Sequence, residues 1–155
     1  MKKISLGSWA FAFGPYSDNP VPFDKTAKRL AETGYEAIEI CGIQEHVTVE
    51  AYPTTELRQE VKKMLDDLGL ERSGYACDQY AFDPTEAANK EKYLEQFAKN
   101  LELCNDVGIR DIRVDTVADP GKYSDDAEYE AAKGRVAEVF HEAAQKAQDV
   151  GIRMH

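Results

Sequence analysis

The chain has 155 residues, 43% of them hydrophobic, enough for a packed core and too apolar for a disordered segment, and no stretch approaches membrane-spanning length. Its 29 acidic residues against 19 basic ones leave a net charge of −10, a surface that repels phosphate backbones and argues against nucleic acid as the main partner. Cys41, Cys77 and Cys104 are odd in number and form no Cys-x-x-Cys pair, which excludes a disulfide scaffold and a Cys-rich zinc site.

The first strand is expected from Lys3 to about Ser8. With only a few apolar residues after two lysines, this segment reads as a strand rather than a signal peptide, so a reducing cytoplasm is the expected location. A loop rich in aromatics and turn formers follows from Trp9 to Pro20. Asp24 is the expected N-cap of a first helix with Ala27, Leu30 and Ala31 on its apolar side, and a second strand ends at Ile40. Cys41 to Pro53 has no helical period; Thr54 or Thr55 then caps a helix carrying Leu57, Val61, Met64, Leu65 and Leu68. A third strand spans about Glu71 to Cys77. Asp83-Pro84-Thr85-Glu86 reads as the capped start of a third helix, whose apolar side holds Tyr93, Phe97, Leu101 and Cys104. A fourth strand covers about Asp111 to Asp115, and the last helix about Glu128 to Val150.

Gly34, Gly69, Gly108 and Gly151 each follow a polar helix end and precede a short apolar run. A glycine just past a helix takes the left-handed conformation without a side-chain clash and releases the chain into a strand. The four lie 35, 39 and 43 residues apart, the length of one strand, loop and helix. Five strands and four helices make half of an eight-unit barrel or most of a small doubly wound sheet. The absence of a Gly-x-Gly-x-x-Gly or Gly-Lys-Ser/Thr motif counts against the second. The expected class is therefore α/β, the N-terminal half of a (β/α)8 TIM barrel. It comprises four units plus the start of strand five, over residues 1–155 with no internal boundary.

Ligands of parallel α/β folds bind at the C-terminal ends of the strands. That rule selects Trp9 and Phe11 after strand one, Glu39 and His46 around strand two, Asp78 after strand three and Asp115 after strand four. A carboxylate closing an apolar run, as Glu39 and Asp115 do, is costly to bury without a partner. Either could hold a sugar hydroxyl, a lysine or a metal-bound water, with Glu39 a candidate catalytic residue and Asp115 a substrate-binding one, or simply pair with Arg113 or cap a neighbouring loop. His46 is a candidate for moving protons, against the plainer reading of a solvent-exposed loop histidine. Trp9, Phe11, Phe13 and Tyr16 could wall a sugar's carbon–hydrogen face, or fold over the barrel mouth. Asp78 and Tyr80 could reach the same mouth.

Three stretches, Lys3-Ile4-Ser5-Leu6-Gly7-Ser8-Trp9, Glu32-Thr33-Gly34-Tyr35-Glu36-Ala37-Ile38-Glu39-Ile40 and Val107-Gly108-Ile109-Arg110-Asp111-Ile112-Arg113-Val114, resemble the xylose-isomerase-like barrel superfamily. More narrowly, they resemble its sugar phosphate isomerase/epimerase proteins. The resemblance runs over the whole chain and is carried mainly by Gly-aromatic-x-x-Ile-Glu-Ile. It implies an eight-stranded barrel that isomerises or epimerises sugars, often through an enediolate stabilised by Mn²⁺, Mg²⁺, Co²⁺ or Zn²⁺. Glu39 matches the family's strand-two glutamate and Trp9 its aromatic near strand one. The usual Glu, Asp, His and Glu metal ligands belong to strands five to eight, beyond His155, so none is expected within these residues. The superfamily's abasic-site endonucleases carry histidines where this chain has Cys77-Asp78 and Asp115-Thr116, which makes that activity a distant alternative.

The function expected of the complete protein is a metal-dependent sugar or sugar-phosphate isomerase or epimerase with a small sugar as substrate. The alternative from another class is a non-catalytic half-barrel used for assembly. Taken alone, the 155 residues are expected to be inactive, to expose an inward apolar face and to leave two open strand edges. A homo-oligomer is one way of covering them.

Overall fold

The computed structural model describes residues 3–43, 45–115 and 119–155. Five strands alternate with four helices: β1 (Ser5–Gly7), α1 (Phe23–Glu32), β2 (Ala37–Cys41), α2 (Thr55–Asp67), β3 (Glu71–Ala76), α3 (Lys90–Val107), β4 (Asp111–Arg113), α4 (Asp126–Asp149) and β5 (Arg153–Met154). Short 3-10 turns cover Ser8–Phe11 and Gly14–Tyr16 after β1, Tyr80–Phe82 and Ala87–Asn89 after β3, and Pro120–Lys122 after β4.

All strand pairs are parallel, and the sheet order is β1-β2-β3-β4-β5. Sequential parallel neighbours are what a barrel wall requires, whereas a doubly wound sheet must reverse its order. The architecture is half a TIM barrel. Gly34, Gly69, Gly108 and Gly151 all have positive φ, between 69° and 88°, so each helix does end on a left-handed glycine that turns the chain back into the sheet.

Each helix buries a stripe spaced by three and four residues. In α1 it is Phe23, Thr26, Ala27 and Leu30; in α3 it includes Tyr93, Phe97, Leu101 and Cys104. These stripes pack on the outward side chains of the sheet, Ile38, Ile40, Tyr75 and Ile112, all at most 1% exposed. At the foot of α2, the Thr54 hydroxyl accepts from Leu57 N at 3.4 Å. Asp125 does the same for α4, accepting from Glu128 N at 2.8 Å.

Two helix starts differ from expectation. Pro22, not Asp24, occupies the cap of α1, and Asp24 sits in the first turn, where its charge favours the helix dipole. α3 begins at Lys90 rather than behind Asp83. The Asp83 carboxylate is consumed locally, accepting from Thr85 N at 2.8 Å and Thr85 Oγ1 at 2.6 Å, and that closed turn competes with helix initiation.

The other face of the sheet is not the apolar surface expected of an uncovered half-barrel. It is polar, and its side chains tie together strands that are not neighbours. Ser5 Oγ on β1 lies 2.6 Å from Ser73 Oγ on β3, across β2, and Lys3 pairs with Glu71 over the same strand. Glu39 on β2 reaches Arg113 on β4 across β3, with Arg113 Nε 3.5 Å from Glu39 Oε1. Asp111 holds Arg153 at 2.9 Å and lies 2.9 Å from His155 Nε2. Such reaches close because the sheet is concave toward these side chains and the β3 residues beneath the Glu39–Arg113 tie are small, Gly74 in register with Glu39 and Ala76 in register with Arg113. The apolar core therefore lies wholly on the helix side.

Candidate functional site

The C-terminal ends of β1 to β4 and the loops leaving them enclose a pocket of about 260 Å³. Local backbone demands explain the β1 corner. A Cβ at Gly7 would stand 1.9 Å from Trp9 Nε1, so only glycine lets the indole fold back over the strand end. From there the indole N–H donates to Glu39 Oε2 at 2.7 Å. The other Glu39 oxygen faces Arg113, whose Nη1 lies 3.3 Å from Asp115 Oδ1. Trp9, Glu39, Arg113 and Asp115 thus form one chain of donors and acceptors that links the ends of β1, β2 and β4, with Trp9, Arg113 and Asp115 on the pocket wall.

Aromatic surface completes the mouth. Phe13 and Tyr80 line the pocket and are 53% and 62% exposed, beside Trp9 at 41%. Asp78 lies on the same wall, its Oδ1 accepting from Tyr80 N at 3.1 Å. Cys41 and Cys77 form part of the floor. Burial pushes the Cys41 thiol up to about 11 and raises Cys77 well above its ordinary value, so both are neutral apolar surface rather than nucleophiles at neutral pH.

The sequence-derived candidates divide. Trp9, Asp78 and Asp115 line the mouth, and Glu39 stands beside it, bonded to Trp9 and facing Arg113. Phe11 does not line it; it packs half-buried on the core, its ring 5.8 Å from Tyr16, and Phe13 takes the wall position instead. His46 departs furthest from expectation. It is 2% exposed, and both ring nitrogens are engaged: Nε2 lies 3.0 Å from Val21 O and Nδ1 3.0 Å from Ser8 Oγ. Because a carbonyl can only accept, Nε2 carries the proton and Nδ1 accepts from Ser8, whose oxygen in turn accepts from Cys41 N at 2.9 Å. Burial lowers the His46 pKa. The ring fastens the β1 loop to the β2 loop, with no nitrogen left for proton transfer.

Arg113 is the site residue that the sequence understated, as no more than a counter-ion. The signal is the alternation Asp111-Ile112-Arg113: Ile112 is buried against the helices, so its neighbours must face the concave side. Part of the strand-four loop singled out from sequence, residues 116–118, lies outside the described residues.

The described residues do not fit a metal ion. Among them no three His, Cys, Asp or Glu side chains converge within ligand distance. Nor is any described helix long and apolar enough to cross a membrane.

The family model described as xylose isomerase-like TIM barrel matches residues 27–155. No curated protein matches the chain. Among solved structures, a D-tagatose 3-epimerase-like protein superposes with a TM-score of 0.75 at 14% identity, covering 99% of this chain and 51% of its own. A sugar phosphate isomerase/epimerase from Parabacteroides distasonis gives 0.68 at 18% identity, with 99% and 50% covered. A probable 3-DHS dehydratase from Bacillus anthracis gives 0.68 at 18%, with 99% and 51% covered. The chain spans about half the length of these structures.

Proposed function

The chain belongs to the xylose isomerase-like TIM barrel family, and from that premise we propose that the whole protein isomerises or epimerises a small sugar, with this half of the barrel supplying part of the sugar-binding wall. The observation that carries the reading is the Trp9–Glu39–Arg113 chain at the strand ends. A carboxylate held by an indole N–H on one oxygen and facing a guanidinium with the other is fixed in direction, with lone pairs left for sugar hydroxyls. The exposed faces of Trp9, Phe13 and Tyr80 offer apolar surface to the carbon–hydrogen side of the same molecule.

Charge narrows the substrate class. Among the described residues that line the pocket, Asp78 and Asp115 are the acids and Arg113 the one cation, already engaged by Asp115 and by Glu39 beside the wall. A phosphate would have to displace a carboxylate from Arg113 and then sit beside the displaced group. A neutral ketose or related polyol is the better guest here than a sugar phosphate. A divalent cation belongs to the proposal for the whole protein, but none of the described residues is assigned to it. What Glu39 and Arg113 do, which is to orient hydroxyls and fix the position of charge, does not depend on it.

The test is turnover of a panel of free ketoses and ketose phosphates by the whole protein, carrying either the native Glu39 or Glu39→Gln. Loss of a charged hydrogen-bond partner is worth about 1.5–3 kcal/mol, so kcat/KM for the preferred free ketose is expected to fall about 10-fold to 100-fold. Unchanged turnover in E39Q, or a preference for phosphorylated sugars, overturns the reading.

A further inference from the structure

The pocket does not end at Tyr80. Beyond that ring a second cavity of about 400 Å³ runs outward between the loops that leave β2 and β3 and reaches Gln96 on α3. Ile43, Asp78 and Tyr80 line both cavities, so the two form one continuous surface with the tyrosine standing between them. The first, at about 260 Å³, falls below the roughly 300–1,000 Å³ usual for ligand pockets, and the second carries the whole into that range.

Its walls are held from behind. A Cβ at Gly42 would stand 2.5 Å from the Tyr75 hydroxyl and 3.1 Å from Ala76 O, so glycine is what lets the β2 loop settle on β3 there. Gly42 N donates to Ala76 O at 2.9 Å, and the buried Tyr75 hydroxyl donates to Val47 O at 3.0 Å, which fastens that loop from below. On the opposite wall Tyr80 opens a 3-10 turn, its N–H donating to Asp78 Oδ1 at 3.1 Å while Phe82 N donates to Gln79 O at 2.9 Å. Thr48 accepts from Ala51 N at 3.1 Å and keeps its own proton to give. At the outer end Gln96 Nε2 donates to Glu50 Oε1 at 3.1 Å, which aims the carboxylate and leaves lone pairs for a guest.

Building on the reading of the first pocket as a sugar site, we propose that the second cavity is a subsite for a further sugar unit. The sugar acted on at the strand ends is then one carried in glycosidic linkage, with its partner ring lying past Tyr80. The lining has the mixture a sugar ring needs. Tyr80 and Phe82 offer ring surface to its carbon–hydrogen side, while Thr48, Glu50 and Gln96 offer a hydroxyl, a carboxylate and an amide to its oxygens. Other tails on the reacting sugar fit less well. Among the described residues lining this cavity the charged ones are Glu50 and Asp78, both acidic, so a phosphate, nucleotide or carboxylate tail is repelled. An alkyl tail would cover the polar groups of Thr48 and Gln96 without giving them a partner.

Turnover by the whole protein tests it, with the preferred free ketose set against the same ketose carrying a glucosyl unit on each of its hydroxyls in turn. At least one glucosylated form is expected to show kcat/KM about 10-fold or more above the free sugar, because binding energy from a remote unit is realised at the reacting one. Ala81 is an exposed residue of the turn that lines the second cavity, and Ala81→Trp sets an indole into the space. It should lower the ratio of the two kcat/KM values about 10-fold, back toward that of the free sugar. Gln96→Leu keeps the bulk and removes the amide, and should lower the ratio about 3-fold to 10-fold. Taking the ratio cancels any general loss of folded protein. A ratio lowered by either variant supports the subsite. Turnover of the free ketose with no glucosylated form preferred, or a preference that neither variant lowers, overturns the subsite and spares the sugar reading. Turnover of neither kind of sugar overturns both.

Discussion

His46 and Glu39 both stand near the end of β2, yet their fates are opposite. Glu39 turns its carboxylate to Trp9 and Arg113 of the pocket wall, while His46 turns inward and spends both nitrogens on Ser8 and Val21. The buried ring has a measurable consequence. Burial holds its pKa in the folded chain below the ordinary 6.5, so as pH falls the unfolded chain takes up the proton first. The stability contributed by the neutral imidazole is complete above the unfolded value and is lost as pH drops through the depressed folded one. Thermal melts between about pH 7.5 and about pH 5.5 should therefore show the native chain losing Tm more steeply than His46→Gln. Parallel slopes would show that His46 is not the group responsible. The sequence identified Glu39 because it closes an apolar strand within a recognisable stretch. It misjudged His46 because position in a strand-end loop does not reveal whether a side chain points to the mouth or back under it.

Among elements, the helix stops were legible and the helix starts less so. A positive-φ glycine is the one residue type that the geometry favours strongly, which is why four such glycines spaced by 35, 39 and 43 residues gave the βα rhythm directly. Asp83-Pro84-Thr85-Glu86 carries the letters of a cap but spends them on a closed turn, because an aspartate can satisfy neighbouring backbone without any helix following. A matched pair of substitutions separates backbone conformation from packing. Neither Gly34, at φ 88°, nor Gly134, inside α4, has any atom within 4 Å of where a Cβ would stand. Gly34→Ala should cost about 1 kcal/mol or more, since its carbon must adopt the left-handed region. Gly134→Ala should stabilise by about 0.5–1 kcal/mol through helix propensity. Chemical denaturation that gave both the same sign would contradict this account of the turns.

At the scale of the molecule, sequential strand order and a polar concave face describe one half of a wall. Among the described residues β1 and β5 each pair on one side only, so the sheet presents two open edges there. Open parallel edges recruit further strands, and self-association is the expected behaviour of the chain in solution. Sedimentation velocity should show a mass above 17.4 kDa that rises with concentration, whereas a monomer at every concentration would argue that the edges are blunted. The half-barrel was readable in the repeat, but the polarity of its inner face was not. Strand alternation is hard to read in β1, only three residues long, and the bulge between Ile38 and Glu39 shifts the register where β2 meets β3. One position on that face carries two incompatible demands. Glycine is the weakest strand former available at Gly74, and a valine or isoleucine would give β3 a firmer backbone. A Cβ there would already touch Asp111 O at 3.5 Å and Glu39 Cγ at 3.9 Å, so the added methyls would crowd the Glu39 stem on its way to Arg113. An effort to make this sheet sturdier would thus press on the reach from its second strand to its fourth, so the softest point of the wall is also the one its cross-sheet tie depends on.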